Sequence, residues 1–587
     1  MPPPVHRKKP FSAKQKKKQL QEKRERKQDQ EGAGEGRRSG RSSGKNTPRD
    51  RSRSANQDEE AEPKRINHQP GGRPEKGYDP NRYRLHFLKD TRDEIESRKQ
   101  EARIPLDPVI DEGLELDVNE LYKPGTELDM PKRPPWNYKM TRDQLNAREE
   151  RYFREYLEKL FEQYGDNSLS YFELNLETWR QLWRVVEMAD VVLLITDIRH
   201  PALHFAPTLY DYLTKDLKKP MILVLNKVDL APPPLVVAWK KFFEEKFPSL
   251  HIVLFTSFPK NKTEMEKMKE PGKVLHKRRN RRLYTAVGPM ELLQACEEIV
   301  KGEVDLSSWR QKIEDSMKGA ESSPSEVHHD DHDTSFTQHE RFKDGILHIG
   351  CCGCPNVGKS SLMNGLMGRK VVSVSKTPGH TKHFQTIYLT PTVKLIDCPG
   401  LVFPSLVPKP LQILAGIYPI AQVREPYTAV GYLSQRIPLP HLLKLKHPEA
   451  EDGECKWSAF DICEAWADKR KFITAKAARL DVYRAANSLL RLAVEARLIL
   501  CLPPKGYTAS KDDWENHSET QRIAELQQLC RGCSDDESEE DTEAGKEMFS
   551  SEDEKDVNEA ESEDESEGED KGNNVSTSNP FALLGDD

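Results

Sequence analysis

The stretch Gly353-Cys354-Pro355-Asn356-Val357-Gly358-Lys359-Ser360 follows the apolar run Ile346-Leu347-His348-Ile349 and precedes the helix-forming Ser361-Leu362-Met363-Asn364-Gly365-Leu366-Met367. A strand, a GxxxxGKS loop and a helix, in that order, let backbone N–H groups wrap a phosphate at a helix N-terminus. Gly353 and Gly358 allow the loop to turn inward, and Cys354, Pro355, Asn356 and Val357 complete the cradle. Lys359 brings a compact positive charge to the outer phosphates; Ser360, followed by Ser361, offers a hydroxyl to Mg2+. The competing reading is a glycine-rich turn that binds nothing.

Upstream, strand and helix alternate. Residues 191–196 are continuously apolar and end in Asp197, residues 221–225 form a second buried run, and residues 251–255 a third. Such runs, separated by helical stretches near residues 207–213 and 236–247, read as a parallel sheet with its ligand site at the strands' C-terminal ends. The second run ends in Asn226-Lys227-Val228-Asp229, an NKxD box. Asp229 can accept N–H bonds from guanine N1 and N2, Asn226 can donate to the base edge, and the Lys227 stem can lie along the ring. Leaving such a carboxylate unpaired costs roughly 1.5–3 kcal/mol, so Asp229 favours GTP or GDP over adenine nucleotides by at least about tenfold. Thr256-Ser257-Phe258, ending the third run, is the candidate turn for the base oxygen, although a plain strand-end turn fits the same letters.

The order of these boxes is informative. The guanine box precedes the phosphate loop, and Asp397-Cys398-Pro399-Gly400 follows it, a DxxG box whose aspartate can hold magnesium through water and whose Gly400 N–H can read the terminal phosphate. Between them, Thr377-Pro378-Gly379-His380-Thr381 makes Thr381 the candidate for a second hydroxyl beside magnesium. Every piece is present in rotated order, which a closed sheet tolerates when the displaced termini lie close together.

In these boxes, and in residues 172–190 and 481–491, the chain resembles the circularly permuted GTPases to which nucleostemin belongs. The resemblance covers residues 135–500 and implies an α/β, circularly permuted P-loop GTPase domain followed by a small helical domain. It implies GTP-driven factors, several of which act in ribosome assembly, and K+ held partly by Asn356; a turn residue after Pro355 is the rival reading of that asparagine. Two departures stand out: the family's Asp-Ala-Arg reads Asp197-Ile198-Arg199, and Phe258 replaces a small residue near the base. Leu401 stands where Ras-like enzymes place the glutamine that orients water. Unassisted turnover is therefore expected on the order of 10⁻⁴ to 10⁻² per second.

The 587 residues are 35% hydrophobic and 32% charged, too polar for the whole chain to bury a core. Residues 1–82 are expected to be a disordered basic region, residues 83–175 a mixed extension, and residues 176–405 the nucleotide domain with an insertion at 259–343. Residues 406–503 read as the helical domain, with a closing helix over about 474–500, and residues 504–587 as a disordered acidic tail. The basic tracts read as signals for nuclear import machinery, as contacts to RNA or a pre-ribosomal particle, or as a solubilising tail. Arg479, Arg484, Arg491 and Arg497 read equally as an RNA-facing surface or a solvated face. Serines ahead of acids in residues 534–570 suit an acid-directed kinase. His328, His329 and His332 read as solvated linker rather than metal ligands, and Cys530 and Cys533 lack a second pair for zinc. With no apolar run of membrane-spanning length and no secretory leader, the expectation is no membrane, reduced thiols, and residence in nucleus and cytoplasm, with the nucleolus as an option.

Overall fold

The computed structural model describes residues 85–123, 128, 130–137, 139–257, 286–317, 340–372, 374, 384–449, 456–474 and 479–531. Strands β1 (Val191–Asp197) and β2 (Met221–Asn226) are buried along their whole length, as continuous apolar runs demand when both faces of a parallel sheet are covered. They pair in parallel with each other, β2 with β3 (His251–Ser257), and β1 with β5 (Leu347–Cys352). β5 pairs in parallel with β7 (Val393–Asp397), and the antiparallel β6 (Gln385–Thr390) closes that edge.

The strand order is β4-β3-β2-β1-β5-β7-β6, with β4 (Ala286–Val287) antiparallel to β3. The phosphate-loop strand, fifth in the chain, thus lies between β1 and β7. The register aligns Asp197 with Asn226, Leu194 with Cys352, and Cys351 with Asp397. The C-terminal ends of β1, β2, β5 and β7 therefore meet at one edge, the arrangement expected of a rotated nucleotide domain.

Helix α1 (Arg142–Ser168) starts at a Thr141–Gln144 capping box, and α2 (Leu176–Met188) is capped by Asn175. The buried indoles of α2 do more than pack on the sheet. Trp183 donates to Pro131 O (2.9 Å) and Trp179 to Glu173 O (3.0 Å), tying the N-terminal extension to the domain. Helix α3 (Pro233–Lys246) connects β2 to β3; α4 (Pro289–Val300) and α5 (Ser307–Met317) follow β4. Residues 286–317 thus belong to the sheet domain although they fall inside the expected insertion, because Leu292, Leu293, Cys296, Val300 and Trp309 are buried. Residues 258–285, with the basic knot at Lys277 to Arg282, and residues 318–339, with the three histidines, lie outside the described residues.

After α6 (Lys359–Met367) and the β6–β7 hairpin come the 409–414 helix, α7 (Tyr427–Ser434), α8 (Ala459–Arg470) and α9 (Val482–Val494). The closing helix is shorter than its periodicity suggested. The Asp481 side chain accepts from Arg484 N and fixes the start, and Ala496 in the left-handed region ends the turn.

The boundary expected at 504 falls within folded chain. A helix spans Lys511–Glu515 and α10 spans Ser518–Arg531. Gly506 N and Thr508 N donate to the Glu115 carboxylate, while Ile523 is buried. The acidic run begins only at Ser534, which leaves residues 518–531 enough apolar spacing to dock. Residues 532–587 and 1–84 lie outside the described residues. Among the described residues no helix is long and apolar enough to cross a membrane.

Candidate nucleotide site

The phosphate loop joins β5 to α6. Gly353 has φ 145°, and a Cβ there would lie 2.4 Å from Ile195 O; Gly358 has φ 101°, and a Cβ would lie 2.4 Å from Asn226 Nδ2. Both positions need glycine for dihedral and for space. The second contact is the telling one, because it places the guanine box against the loop. Asn226 Nδ2 donates to Val357 O (2.8 Å), and Lys227 Nζ donates to Asn356 O (2.8 Å), across 131 and 129 residues of sequence.

Asp229 follows on the Val228–Leu230 turn, and its Oδ1 accepts from Thr256 Oγ1 at 2.5 Å. Thr256 thus meets the box through its hydroxyl. Ser257 Oγ and Asn226 Oδ1 are buried with no hydrogen-bond partner among the described residues. Phe258 and Thr381 lie outside them.

Lys359 Nζ donates to Gly353 O (3.0 Å) and Cys354 O (2.7 Å) within the loop it serves. Ser360 Oγ donates to Asp397 Oδ2 (3.3 Å), while Asp397 Oδ1 is buried without a partner among the described residues. Burial pushes the Asp397 carboxyl up to about 6 against the pull of Lys359 and Ser360. A hydroxyl and a carboxylate with an unused oxygen suit a hard, oxygen-seeking divalent cation, so Ser360 and Asp397 fit Mg2+. Cys398 N donates to Cys351 O (3.1 Å), and a Cβ on Gly400 would come within 2.9 Å of Pro355, so the DxxG box lies directly on the phosphate loop. Leu401 N donates to Gly353 O (3.3 Å), and its side chain is buried.

Three sets of contacts were not read from sequence, although Asn356 itself was assigned to K+ there. Asp197 is fully buried and accepts from Arg199 N, Nε and Nη2 and from Lys227 Nζ. Burial alone would raise this carboxyl, but Lys227 and Arg199 outweigh it and hold it well below the usual range. Arg199 Nη1 also donates to Ala493 O on α9 (3.2 Å). Asn356 Nδ2 donates to Gly416 O (2.8 Å), and a Cβ on Gly416 would touch both Asn356 and Val494. Gln527, on α10, donates to Val228 O and Ala231 O in the turn that carries Asp229. The odd Asp-Ile-Arg triplet was the one sequence signal for the first of these.

A family model described as "50S ribosome-binding GTPase" matches residues 348–422. Guanine nucleotide-binding protein-like 1 of Homo sapiens is 58% identical over 545 residues, covering 89% of this chain and 89% of that relative. This chain belongs to the same family of circularly permuted GTPases. Large subunit GTPase 1 homolog of Bos taurus is 32% identical over 454 residues, covering 66% of this chain and 69% of that relative. GNP-bound YlqF from T. maritima is 16% identical with a TM-score of 0.31, covering 55% of this chain and 95% of that structure's chain. Membership in the circularly permuted GTPases gives this chain guanine-nucleotide binding and, in general terms, GTPase chemistry.

Proposed function

We propose that this protein is a slow, potassium-stimulated GTPase that works as a nucleotide-dependent switch in ribosome or ribonucleoprotein assembly. The observation that carries the reading is the pair of bonds from Asn226 and Lys227 to the carbonyls of Val357 and Asn356, which support one nucleotide spanning both boxes. In this reading Asp229 takes guanine N1 and N2, with Val228 and the Thr256-Ser257-Phe258 turn beside the base. The amides of Gly353 to Ser361 cradle the phosphates, and Lys359 leaves its two carbonyls for the phosphate oxygens. Gly400 N–H takes the terminal phosphate, with Cys398 and Pro399 shaping the approach. Ser360, Asp397 and Thr381 would hold Mg2+, which when bound offsets the charge on the phosphates. Asn356 would share in holding K+.

Leu401 presents no group that can orient water, which supports slow turnover. Asn356, Gly416 and Val494 form a continuous path from the phosphate loop to α9, and Arg199 makes a second path from the guanine end to Ala493. These paths support a helical domain that responds to the nucleotide. The basic and acidic tracts would engage RNA or a pre-ribosomal particle, nuclear import machinery and an acid-directed kinase, with the protein in nucleus and cytoplasm and the nucleolus as an option. The ribosome-binding description of the matching family and the large-subunit name of the Bos taurus relative point the same way.

Single-turnover GTP hydrolysis by the full chain tests this, in potassium and in sodium, with and without ribosomal subunits. Slow turnover that potassium and subunits accelerate, abolished in Lys359→Ala, is expected. The buried Leu401 also suits a scaffold or signalling adaptor that holds GTP or GDP without hydrolysing it, and absence of turnover under every condition would select that reading.

A further inference from the structure

Gln527 lies on α10, and its side chain is almost wholly buried against the turn that carries Asp229. Its amide nitrogen donates to Val228 O (2.7 Å) and to Ala231 O (2.8 Å). A primary amide has two N–H groups, and both are spent here, one on each side of Asp229. Leu230 N bonds back to Lys227 O (3.0 Å), so the turn is closed by one bond inside and fastened by two from outside. Cys501 Sγ meets Leu230 O (3.7 Å), adding a weaker contact on the same turn.

The helix is independently anchored. Ile523 is buried, Glu519 forms ion pairs with Lys240 and Lys241 of α3, and Arg522 bonds Glu291 of α4 (2.9 Å). α3 begins at Pro233, just after the box, so α10 grips both the guanine turn and the helix that leaves it. A carboxylate that must meet two N–H groups of a base at once depends on its backbone being fixed to a fraction of an ångström.

We infer that Gln527 is a positioning residue for guanine recognition: by pinning the carbonyls of Val228 and Ala231 it aims the Asp229 carboxylate at the base. The inference rests on the reading of residues 226–229 as the guanine box. Thr256 holds the carboxylate itself from the β3 side, while Gln527 holds the backbone from the α10 side.

The test compares GDP with IDP, which lacks the 2-amino group, in equilibrium binding to the full chain. Wild type is expected to prefer GDP by at least about tenfold, the worth of one hydrogen bond to a charged group. Gln527→Glu keeps the shape but presents oxygen to two carbonyls; Gln527→Ala removes the donors. Both are expected to compress the GDP/IDP ratio about three- to tenfold, through weaker GDP binding. Ile523→Val loosens the same helix without touching the turn and is expected to lower the melting temperature while keeping the ratio. An unchanged ratio in both Gln527 variants overturns the inference, as does equal compression in Ile523→Val. A wild type that binds GDP and IDP alike overturns instead the guanine-box reading on which it rests.

Discussion

Asp197 and Asp397 end strands on either side of β5, both fully buried, and their carboxyls have moved in opposite directions. Asp197 is surrounded by Arg199 and Lys227 and is held well below the usual carboxylate range. Asp397 has one serine hydroxyl and the charge of Lys359, which burial outweighs, and is pushed up to about 6. The guanine side of the site is thus electrostatically complete within the chain, with Lys227 fixed by Asp197 and then bonded to the phosphate loop. The phosphate side carries a buried carboxylate whose charge the chain leaves largely uncompensated, the condition in which a bound cation contributes most.

Removing the compensated carboxylate should cost most. Asp197→Ala leaves Arg199 and Lys227 facing each other without their counter-ion, and stability should fall by about 3–5 kcal/mol in urea unfolding. Loss below about 1 kcal/mol would show that the pair is not the organising charge of the guanine side.

Glu173 tests the same contrast away from the nucleotide. It is fully buried, its Oε1 accepts from His86 N and Asn175 N, and its Oε2 has no partner among the described residues. Burial raises its carboxyl to about 8 from an ordinary 4.5. The folded protein therefore keeps a proton that the unfolded chain releases, so this group's contribution to stability is present at low pH and is lost as pH rises from about 4.5 to 8. Glu173→Gln keeps both accepted bonds and cannot ionise. The melting-temperature gap between variant and wild type should widen over that window, reaching a few kcal/mol equivalent at pH 8. A gap independent of pH would contradict the assignment.

Asp397→Asn should leave the stability of nucleotide-free protein unchanged or slightly higher, opposite to Asp197→Ala, because it removes a charge that burial disfavours. Its deficit should appear in magnesium, with the gain in GDP affinity on adding Mg2+ falling by about tenfold or more. The smallest effect is expected of Gly416→Ala. A Cβ at φ +72° would press on Val494 and Asn356, costing about 1–2 kcal/mol by thermal unfolding and altering protease sensitivity over residues 400–420 between GTP and GDP states.

The sheet was legible because β1 and β2 are uninterrupted apolar runs, and the rotated topology because each box keeps its own local spacing. What escaped reading depends on contacts between distant segments. Gln527 meets Val228 across 299 residues, and nothing in the local letters of either stretch announces it. The apolar spacing of Ile523, Leu526 and Leu529 was readable as an amphipathic helix, yet the acidic run just beyond masked it in composition. Asn356 and Gly416 likewise meet only because the segment after Gly400 folds back over the phosphate loop. Trp183 was legible as core; that its indole would fasten Pro131 was not, since a donor's partner is set by the fold around it.

The most direct test of one nucleotide gripped by both boxes is competition binding of GDP, XDP and ADP to wild type and to Asp229→Asn. Wild type should prefer GDP over ADP by at least about tenfold, and the asparagine, which can donate to the 2-oxo group of xanthine, should shift preference from GDP to XDP. Unaltered GDP affinity in Asp229→Asn, with Lys359→Ala still abolishing binding, would separate the two boxes and contradict the account.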